Sequence, residues 1–261
     1  RRRLRVRGGR GRLHAATSME QLSLHDSFAT TSPSDVRHGA GEVHVWAVPL
    51  HGDPAPFAEL LSEAEQQRLQ RFRFADHRRR YQIGHGALRR ILAGYLGRDP
   101  REIEFRQGPR GKPYLAGDGP FFNLSHSGKL ALIGVADAEL GLDVEKMRRL
   151  ESMTQIAERH FSSAEFEALL ALEGPARELA FYRCWTRKEA YIKALGEGLS
   201  MALDTFDVSL CEAPRFLKSH DGREDPAQWT LLDVSPGPEF VGAAALKRPT
   251  ATVRCFRLGS A

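Results

Sequence analysis

Two long stretches of helical periodicity, each followed by several short apolar runs, constrain the fold of this chain most strongly. In residues 75–96, apolar and aromatic side chains recur every three to four positions and so share one helix face. The second long stretch, residues 176–195, ends at Gly196, a residue type that commonly ends helices. Strands are predicted over residues 42–48, 121–125, 130–136, 140–145, 206–210, 229–234, 240–246 and 252–258.

The order of strand, helix and several strands occurs twice, and the second copy is expected to begin near Leu130. Two further helices are predicted over residues 153–161 and 163–172. This pattern predicts an α+β protein built from two similar halves.

Composition excludes several classes of protein. Hydrophobic residues make up 41% and charged residues 27% of the 261 positions, which permits a sizeable core. No apolar run approaches the roughly 20 residues that cross a bilayer, so a membrane protein is not expected. The three cysteines form no CxxC pair, which excludes a disulfide scaffold or a Cys-rich zinc site and favours a cytoplasmic location.

Positive charge is concentrated at the start of the sequence. Residues 1–12 hold seven arginines and no acid, and without them the net charge falls from +5 to −2. This weakens a nucleic-acid-binding interpretation of the rest. We interpret residues 1–18 as translated upstream sequence, with a transit peptide as the alternative, and expect residues 1–40 to be disordered.

Two carboxylates lie close together in one predicted strand. Asp143 and Glu145 are two positions apart, so both point to the same face of the sheet. Like charges in this position repel unless a cation or water separates them. Oxygen ligands of this kind suit Mg²⁺, which also takes waters and substrate phosphates. The alternative is an ordinary strand edge that faces solvent.

The second long helix carries Trp185, Glu189 and Lys193 four residues apart, on one face. A simple Glu–Lys ion pair on the helix surface is one interpretation. The aromatic neighbour favours another, because it indicates a partly buried face, where an acid and a base need a function.

Two loops offer donors for an anion. The segment 123–128, Asn-Leu-Ser-His-Ser-Gly, is predicted to end a strand in a polar turn whose hydroxyls, amides and His126 imidazole suit a phosphate. A histidine satisfied locally in the turn is equally compatible. Lys112 lies in a Gly-Lys-Pro loop, which is a weak signal alone. The nucleotide-binding and hydrolase motifs GxxxxGK[ST], GxGxxG, HExxH and GxSxG are absent from the sequence.

Four segments taken in order resemble the Sfp-type 4'-phosphopantetheinyl transferases. They are residues 111–113, 123–128, 141–145 and 185–193. The resemblance spans residues 42–258, and Leu142 and Val144 stand where isoleucine is common in that family.

The resemblance implies a pseudo-twofold monomer, each half a helix packed on a small, mostly antiparallel sheet. The halves are expected at residues 41–135 and 136–258, with coenzyme A and Mg²⁺ in the cleft between them. The implied reaction moves 4'-phosphopantetheine from coenzyme A to a serine of an apo-carrier protein, acyl or peptidyl, and releases adenosine 3',5'-bisphosphate. Such carriers serve fatty-acid, polyketide or nonribosomal-peptide synthesis. Neither nucleic acid nor a membrane is an expected partner.

The resemblance also implies roles for particular residues. Asp143, Glu145 and Glu189 would hold Mg²⁺. Glu189 would also take the proton of the carrier serine, and Lys193 would stabilise the leaving phosphate. The residues implied to hold the phosphates of coenzyme A are Arg80, Lys112, Ser125, His126 and Lys188. Glu165 is either a further acid near the active site or an ordinary N-terminal helix acid.

Two other classes of function stay open at this point. One is a protein that only binds nucleic acid or another anionic surface through its arginines. The other is a different Mg²⁺-dependent phosphotransferase that acts on a small molecule. A salt-dependent DNA shift that survives deletion of residues 1–18 would support the first. Analysis of the products separates the second from carrier-protein modification.

Overall fold

The computed structural model describes residues 25–198 and 201–259. The α-helices of these ranges are α1 (Ala55–Ala58), α2 (Glu63–Gln70), α3 (Ala75–Leu96), α4 (Met153–His160), α5 (Ser163–Leu170) and α6 (Gly174–Leu195). The β-strands are β1 (Ala29–Thr31), β2 (Glu42–Pro49), β3 (Phe105–Gln107), β4 (Pro113–Leu115), β5 (Phe121–Ser127), β6 (Leu130–Ala136), β7 (Leu140–Lys146), β8 (Phe206–Val208), β9 (Phe216–Ser219), β10 (Thr230–Asp233), β11 (Phe240–Leu246) and β12 (Thr252–Leu258). The predicted α+β class is confirmed.

Two principal sheets form the centre of the molecule. The larger has the strand order β1-β12-β2-β6-β5, and the smaller has the order β10-β11-β7. Pairing is antiparallel except around β12, which lies parallel to both β1 and β2. The short hairpins β3-β4 and β8-β9 stand apart from these sheets. Strands β5 and β7 are therefore edge strands, one from each sheet.

The two halves repeat one plan. The strand order β2-β6-β5 in the first sheet has its counterpart in β7-β11-β10 in the second. Helices α3 and α6 are each 22 residues long, and each ends at a glycine with left-handed backbone, Gly97 and Gly196. The second copy begins at Leu140 and not near Leu130. Residues 252–258, assigned from the sequence to the C-terminal half, lie in the sheet of the N-terminal half.

The segment that precedes β2 is ordered where the structure describes it. Strand β1 pairs with β12, and Phe28 and Val36 are buried. The prediction of disorder is therefore wrong for residues 25–40, whose few apolar side chains were outweighed in composition by the polar residues around them. Residues 1–24, including the interpretation of residues 1–18, lie outside the described residues.

Three apolar clusters fill the interior. Helix α3 packs on one face of the larger sheet, through residues such as Ile91 and Trp46. Helix α6 packs on the smaller sheet in a second cluster. A third cluster joins the facing surfaces of the two sheets, with Val45 and Leu142 among its members. None of the described helices has the length and apolar character needed to cross a membrane.

Gly141 determines how closely α6 lies against β7. A Cβ atom at this position would lie 1.9 Å from the Ala190 carbonyl oxygen and 2.2 Å from the Ala194 amide nitrogen. Both are backbone atoms, which cannot move aside as a flexible side chain can. Only glycine allows this contact, which holds the face of α6 that carries Lys193 against Asp143 of β7.

We expect Gly141→Ala to destabilise the protein by more than the roughly 1–3 kcal/mol typical of overpacking, because the helix backbone has to shift. Urea unfolding measures the change. Gly52→Ala is the matched control, since nothing lies within 4 Å of a Cβ there, and it should stay within about 0.5 kcal/mol of wild type. Equal stability of the two variants would contradict the proposed close contact.

Candidate active site

The edges of the two sheets meet through side chains and not through backbone pairing. Alternate residues of β5 point at β7 and accept hydrogen bonds from its amides. The three contacts are Asn123 Oδ1 with the Leu142 amide (3.0 Å), Ser125 Oγ with the Val144 amide (3.4 Å) and Ser127 Oγ with the Lys146 amide (3.0 Å). We call Asn123, Ser125 and Ser127 the polar ladder. It satisfies edge amides that would otherwise lack a partner.

Asp143 lies beside the polar ladder and is buried, with 4% of its surface exposed. Its Oδ1 accepts hydrogen bonds from the Lys193 ammonium (2.6 Å) and from Ser125 Oγ (2.9 Å). Its Oδ2 is buried and has no hydrogen-bond partner. An unpartnered buried carboxylate oxygen is costly, and the vicinity of a cation would offset that cost.

Glu145 and Glu189 complete an acidic cluster with Asp143. Glu145 Oε2 accepts a hydrogen bond from Ser127 Oγ at 2.7 Å. Glu189 is half-buried and forms no hydrogen bond or ion pair with any described residue. Burial, and then the charge of Asp143, raise the pKa of both glutamates. The three carboxylates that the sequence analysis singled out therefore share one electrostatic environment.

Lys193 pairs with Asp143 and not with Glu189. The simple helix-surface ion pair considered for Glu189 and Lys193 is thus not formed in the part of the chain that the structure describes. The ammonium also donates to Ser125 Oγ at 3.2 Å, so it bridges β5 and β7.

The acidic cluster fits a metal ion only if waters or substrate phosphates supply further ligands. No three His, Cys, Asp or Glu side chains among the described residues are placed to hold a metal by themselves. The unpartnered Oδ2 of Asp143 and the two glutamates, whose pKa values its charge helps to raise, are the oxygen ligands available there. Such a set fits Mg²⁺, which takes one or two carboxylates and fills its shell with waters and substrate phosphates.

A cationic cavity of about 390 Å³ opens between α3 and the end of β5. Its basic residues are Arg68, His77, Arg80, His85 and His126, and none of its described lining residues is acidic. Partial desolvation lowers the pKa of His126, and the positive charges of Lys193 and Arg80 lower it further. Since no described residue forms an ion pair with Arg80, its guanidinium is open to an anion.

His126 does not lie in a turn as predicted. Strand β5 continues to Ser127, and the chain turns at Gly128, which has a φ of 58°. The imidazole therefore projects from the end of a strand.

Two lysines predicted to hold phosphates make internal contacts in the structure. Lys188 is wholly buried, and its ammonium donates to the Leu203 and Phe206 carbonyls (2.7 and 2.5 Å) and pairs with Glu165 (2.7 Å). A phosphate role for Lys188 does not fit this burial. The Lys112 ammonium donates to two carbonyls, Leu140 of β7 (3.1 Å) and Ala194 of α6 (2.8 Å). Its role toward a ligand stays a prediction.

Glu165 is the N-terminal acid of α5. It forms a capping box with Ser162, and its Oε1 accepts a hydrogen bond from the Val208 amide at 2.7 Å. With the Lys188 pair, these contacts all lie in α5, α6 and β8, which supports the helix-acid interpretation. The first half has the same arrangement, in which Glu65 of a capping box pairs with buried Arg89.

The sequence analysis gave no individual role to several residues that the structure brings to the site. They are Arg68, His77 and His85 of the cavity, and Asn123 and Ser127 of the polar ladder. The ladder had a readable signal, since polar residues at 123, 125 and 127 alternate with period two along one strand. The cavity residues had none, because Arg68 lies in α2 and His77 and His85 lie in α3, in a region rich in similar arginines.

Comparison with known proteins identifies the family. Residues 139–245 match the family model described as the 4'-phosphopantetheinyl transferase superfamily, and residues 46–138 match the one described as 4'-phosphopantetheinyl transferase, N-terminal. The 4'-phosphopantetheinyl transferase HetI of a Nostoc species is 39% identical over 214 residues, which cover 78% of this chain and 87% of HetI. The chain belongs to the 4'-phosphopantetheinyl transferase superfamily. The resemblance found in the sequence is thus confirmed.

A second curated relative agrees with this assignment. The transferase Sfp of Bacillus subtilis is 29% identical over 72% of this chain and 84% of Sfp. The solved holo-[acyl-carrier-protein] synthase of Thermotoga maritima is 22% identical with a TM-score of 0.32, over 42% of this chain and 64% of that one. An overlap this small carries no weight for the fold.

We expect Lys188→Met to cost about 3–5 kcal/mol of unfolding free energy, because it leaves Glu165 buried without its cation. Urea unfolding gives the loss, and adding Glu165→Gln to the same chain should recover part of it. The KM for coenzyme A of the folded variant should stay unchanged. A variant of normal stability with a raised KM would restore the phosphate role.

We expect Glu189→Gln to stabilise the metal-free protein at about pH 8 and to have little effect near pH 4, around the ordinary pKa of a glutamate. A raised pKa means that the folded state favours the neutral carboxyl, so its stability falls as the pH rises through that pKa. Thermal melts in a chelator across this pH range measure the difference. Glu158→Gln, at an exposed acid, is the control, and its effect on the melting temperature should not change with pH. A lower melting temperature for Glu189→Gln than for wild type at pH 8 would contradict the prediction.

Proposed function

We propose that this chain transfers the 4'-phosphopantetheine group of coenzyme A to a serine of an apo-carrier protein in a Mg²⁺-dependent reaction. The observation that carries the proposal is the juxtaposition of two oppositely charged regions along β5. The acidic cluster lies beside Ser125 and Ser127, and the cationic cavity lies at His126 between them. A substrate that carries phosphates and shares a divalent cation suits both regions at once.

The two regions divide the substrate between them. The cationic cavity, with Arg80 and His126, would hold phosphates of coenzyme A. Asp143, Glu145 and Glu189 would hold Mg²⁺, which when bound neutralises charge on the diphosphate. Phosphoryl transfer depends mainly on such positioning and charge neutralisation, so a site without a nucleophilic side chain is sufficient.

The chain's own residues would move one proton and stabilise one leaving group. The serine oxygen of the carrier forms a bond to the phosphorus that bears pantetheine, and the bond from that phosphorus to the adenosine 3',5'-bisphosphate oxygen breaks. Glu189, whose pKa is raised by burial and by Asp143, would take the serine proton. Lys193 lies beside Asp143 and would stabilise the negative charge that develops on the leaving phosphate.

One chain supplies every group in this proposal. Ser125 and His126 come from the first half, while Asp143, Glu189 and Lys193 come from the second. We therefore propose that a monomer is sufficient for activity, with the substrate bound where the halves meet.

The decisive experiment mixes the purified chain with coenzyme A, Mg²⁺ and a panel of apo-carriers, acyl and peptidyl, and reads intact masses. A carrier that gains the mass of phosphopantetheine supports the proposal and identifies the carrier class. Unchanged carriers together with a modified small molecule would support a different phosphotransferase and overturn it.

In the same assay, Asp143→Ala and Glu189→Ala should each lower the transfer rate by about two orders of magnitude or more. Each removes a charge that would bind the cation. Glu189→Ala removes no hydrogen bond or ion pair with a described residue, whereas Asp143→Ala also removes contacts with Lys193 of α6 and Ser125 of β5, so its thermal melt is recorded beside its activity. Glu158→Ala, at an exposed acid of α4, is the control and should retain full activity. A Glu189→Ala protein that melts lower yet loads carrier at the wild-type rate would contradict the assignment.

A further inference from the structure

The hydroxyl of Ser127 is held in one orientation. The Lys146 amide donates to its oxygen at 3.0 Å, and the hydroxyl donates its only proton to Glu145 Oε2 at 2.7 Å. The second distance is short, as expected for a hydrogen bond to a charged carboxylate. The backbone of β7 thus fixes the hydroxyl, and the hydroxyl fixes one oxygen of Glu145.

The consequence is that one oxygen of each strand carboxylate is occupied and the other is left open. Glu145 Oε1 accepts no hydrogen bond from any described residue, and Asp143 Oδ2 is buried without a partner. Because a carboxylate is planar, fixing one oxygen restricts where the other lies. A ligand atom that is already oriented loses less conformational freedom when it binds a cation.

We propose that Ser127 is a positioning residue, which orients Glu145 and thereby sets the affinity of the acidic cluster for Mg²⁺. The inference rests on the proposed function. Ser125 contacts Asp143 in a similar way, but it also contacts Lys193 and is implied in coenzyme A binding, so its removal would change several things at once. Among the described residues, the Ser127 side chain bonds only to Glu145 and the Lys146 amide.

The polar ladder supplies its own control. Asn123 accepts the Leu142 amide at 3.0 Å, as Ser127 accepts that of Lys146, but it contacts no carboxylate. Asn123→Ala therefore removes a strand-to-strand contact alone. Ser127→Ala removes such a contact and also the orientation of Glu145.

The experiment titrates Mg²⁺ by calorimetry into the full chain saturated with coenzyme A, without carrier, and records urea unfolding of the metal-free protein. Ser127→Ala should weaken Mg²⁺ binding about tenfold or more, the effect typical of losing a partner that orients a metal ligand. Ser127→Thr, which keeps the hydroxyl, should bind Mg²⁺ like wild type. Asn123→Ala should lose stability and keep its Mg²⁺ affinity.

Carrier loading on the same proteins separates this inference from the function. Ser127→Ala should require more Mg²⁺ for half-maximal transfer and approach the wild-type rate when Mg²⁺ is saturating. If Ser127→Ala fails to fold, Ser127→Cys, a weaker donor of similar size, carries the same expectation.

Two results would overturn the positioning role. One is a Ser127→Ala protein that loses stability but binds Mg²⁺ as wild type does, and the other is Ser127→Thr binding as weakly as Ser127→Ala. In both cases wild-type transfer would leave the proposed function standing. Wild-type protein that neither binds Mg²⁺ nor modifies any carrier would remove the function itself.

Discussion

The junction between the edges of the two sheets is the contact on which the site depends. Edge strands expose amides that need partners, and strands β5 and β7 provide them across a gap bridged by side chains. The polar side chains of β5 place hydroxyls in a buried position. The Ser125 hydroxyl in turn helps to make the burial of Asp143 possible, because it donates to Asp143 Oδ1 together with the Lys193 ammonium. The same contact therefore joins the halves and creates the environment of the acidic cluster.

The pseudo-twofold plan shows what distinguishes the two halves. Strand register aligns Trp46 and Val48 of β2 with Asp143 and Glu145 of β7, because each pair occupies the same place opposite β6 or β11. Trp46 is completely buried against α3. In the first half, apolar side chains occupy these strand positions and pack against the long helix. In the second half, carboxylates occupy the matching positions. The buried ion pairs that tie α2 to α3 and α5 to α6 are retained in both, so the scaffold is shared while the chemistry is confined to one half.

Local patterns predicted much of the fold, and tertiary contacts account for the rest. Residues 75–96, 130–136, 240–246 and 252–258 have the predicted bounds, because apolar periodicity is a property of the segment itself. The short strands β3, β4 and β9 have too few residues to show a period. In the site, period-two spacing placed Asp143 and Glu145 on one face. The burial of Lys188 depends on Glu165, 23 positions earlier in the chain, and no local pattern reports such a pairing.

Charge balance links the acidic cluster to the ligand it would bind. Its three carboxylates, Asp143, Glu145 and Glu189, face one ammonium, that of Lys193, so full ionisation leaves an excess of two negative charges. Burial makes ionisation there unfavourable and is the main cause of the raised pKa of both glutamates, to which the charge of Asp143 adds. A divalent cation carries the opposite charge of equal size. Ionised carboxylates in this buried cluster therefore cost free energy, and binding a divalent cation would offset that cost. The offset is largest where a carboxylate oxygen is already oriented and has no partner, as Asp143 Oδ2 is.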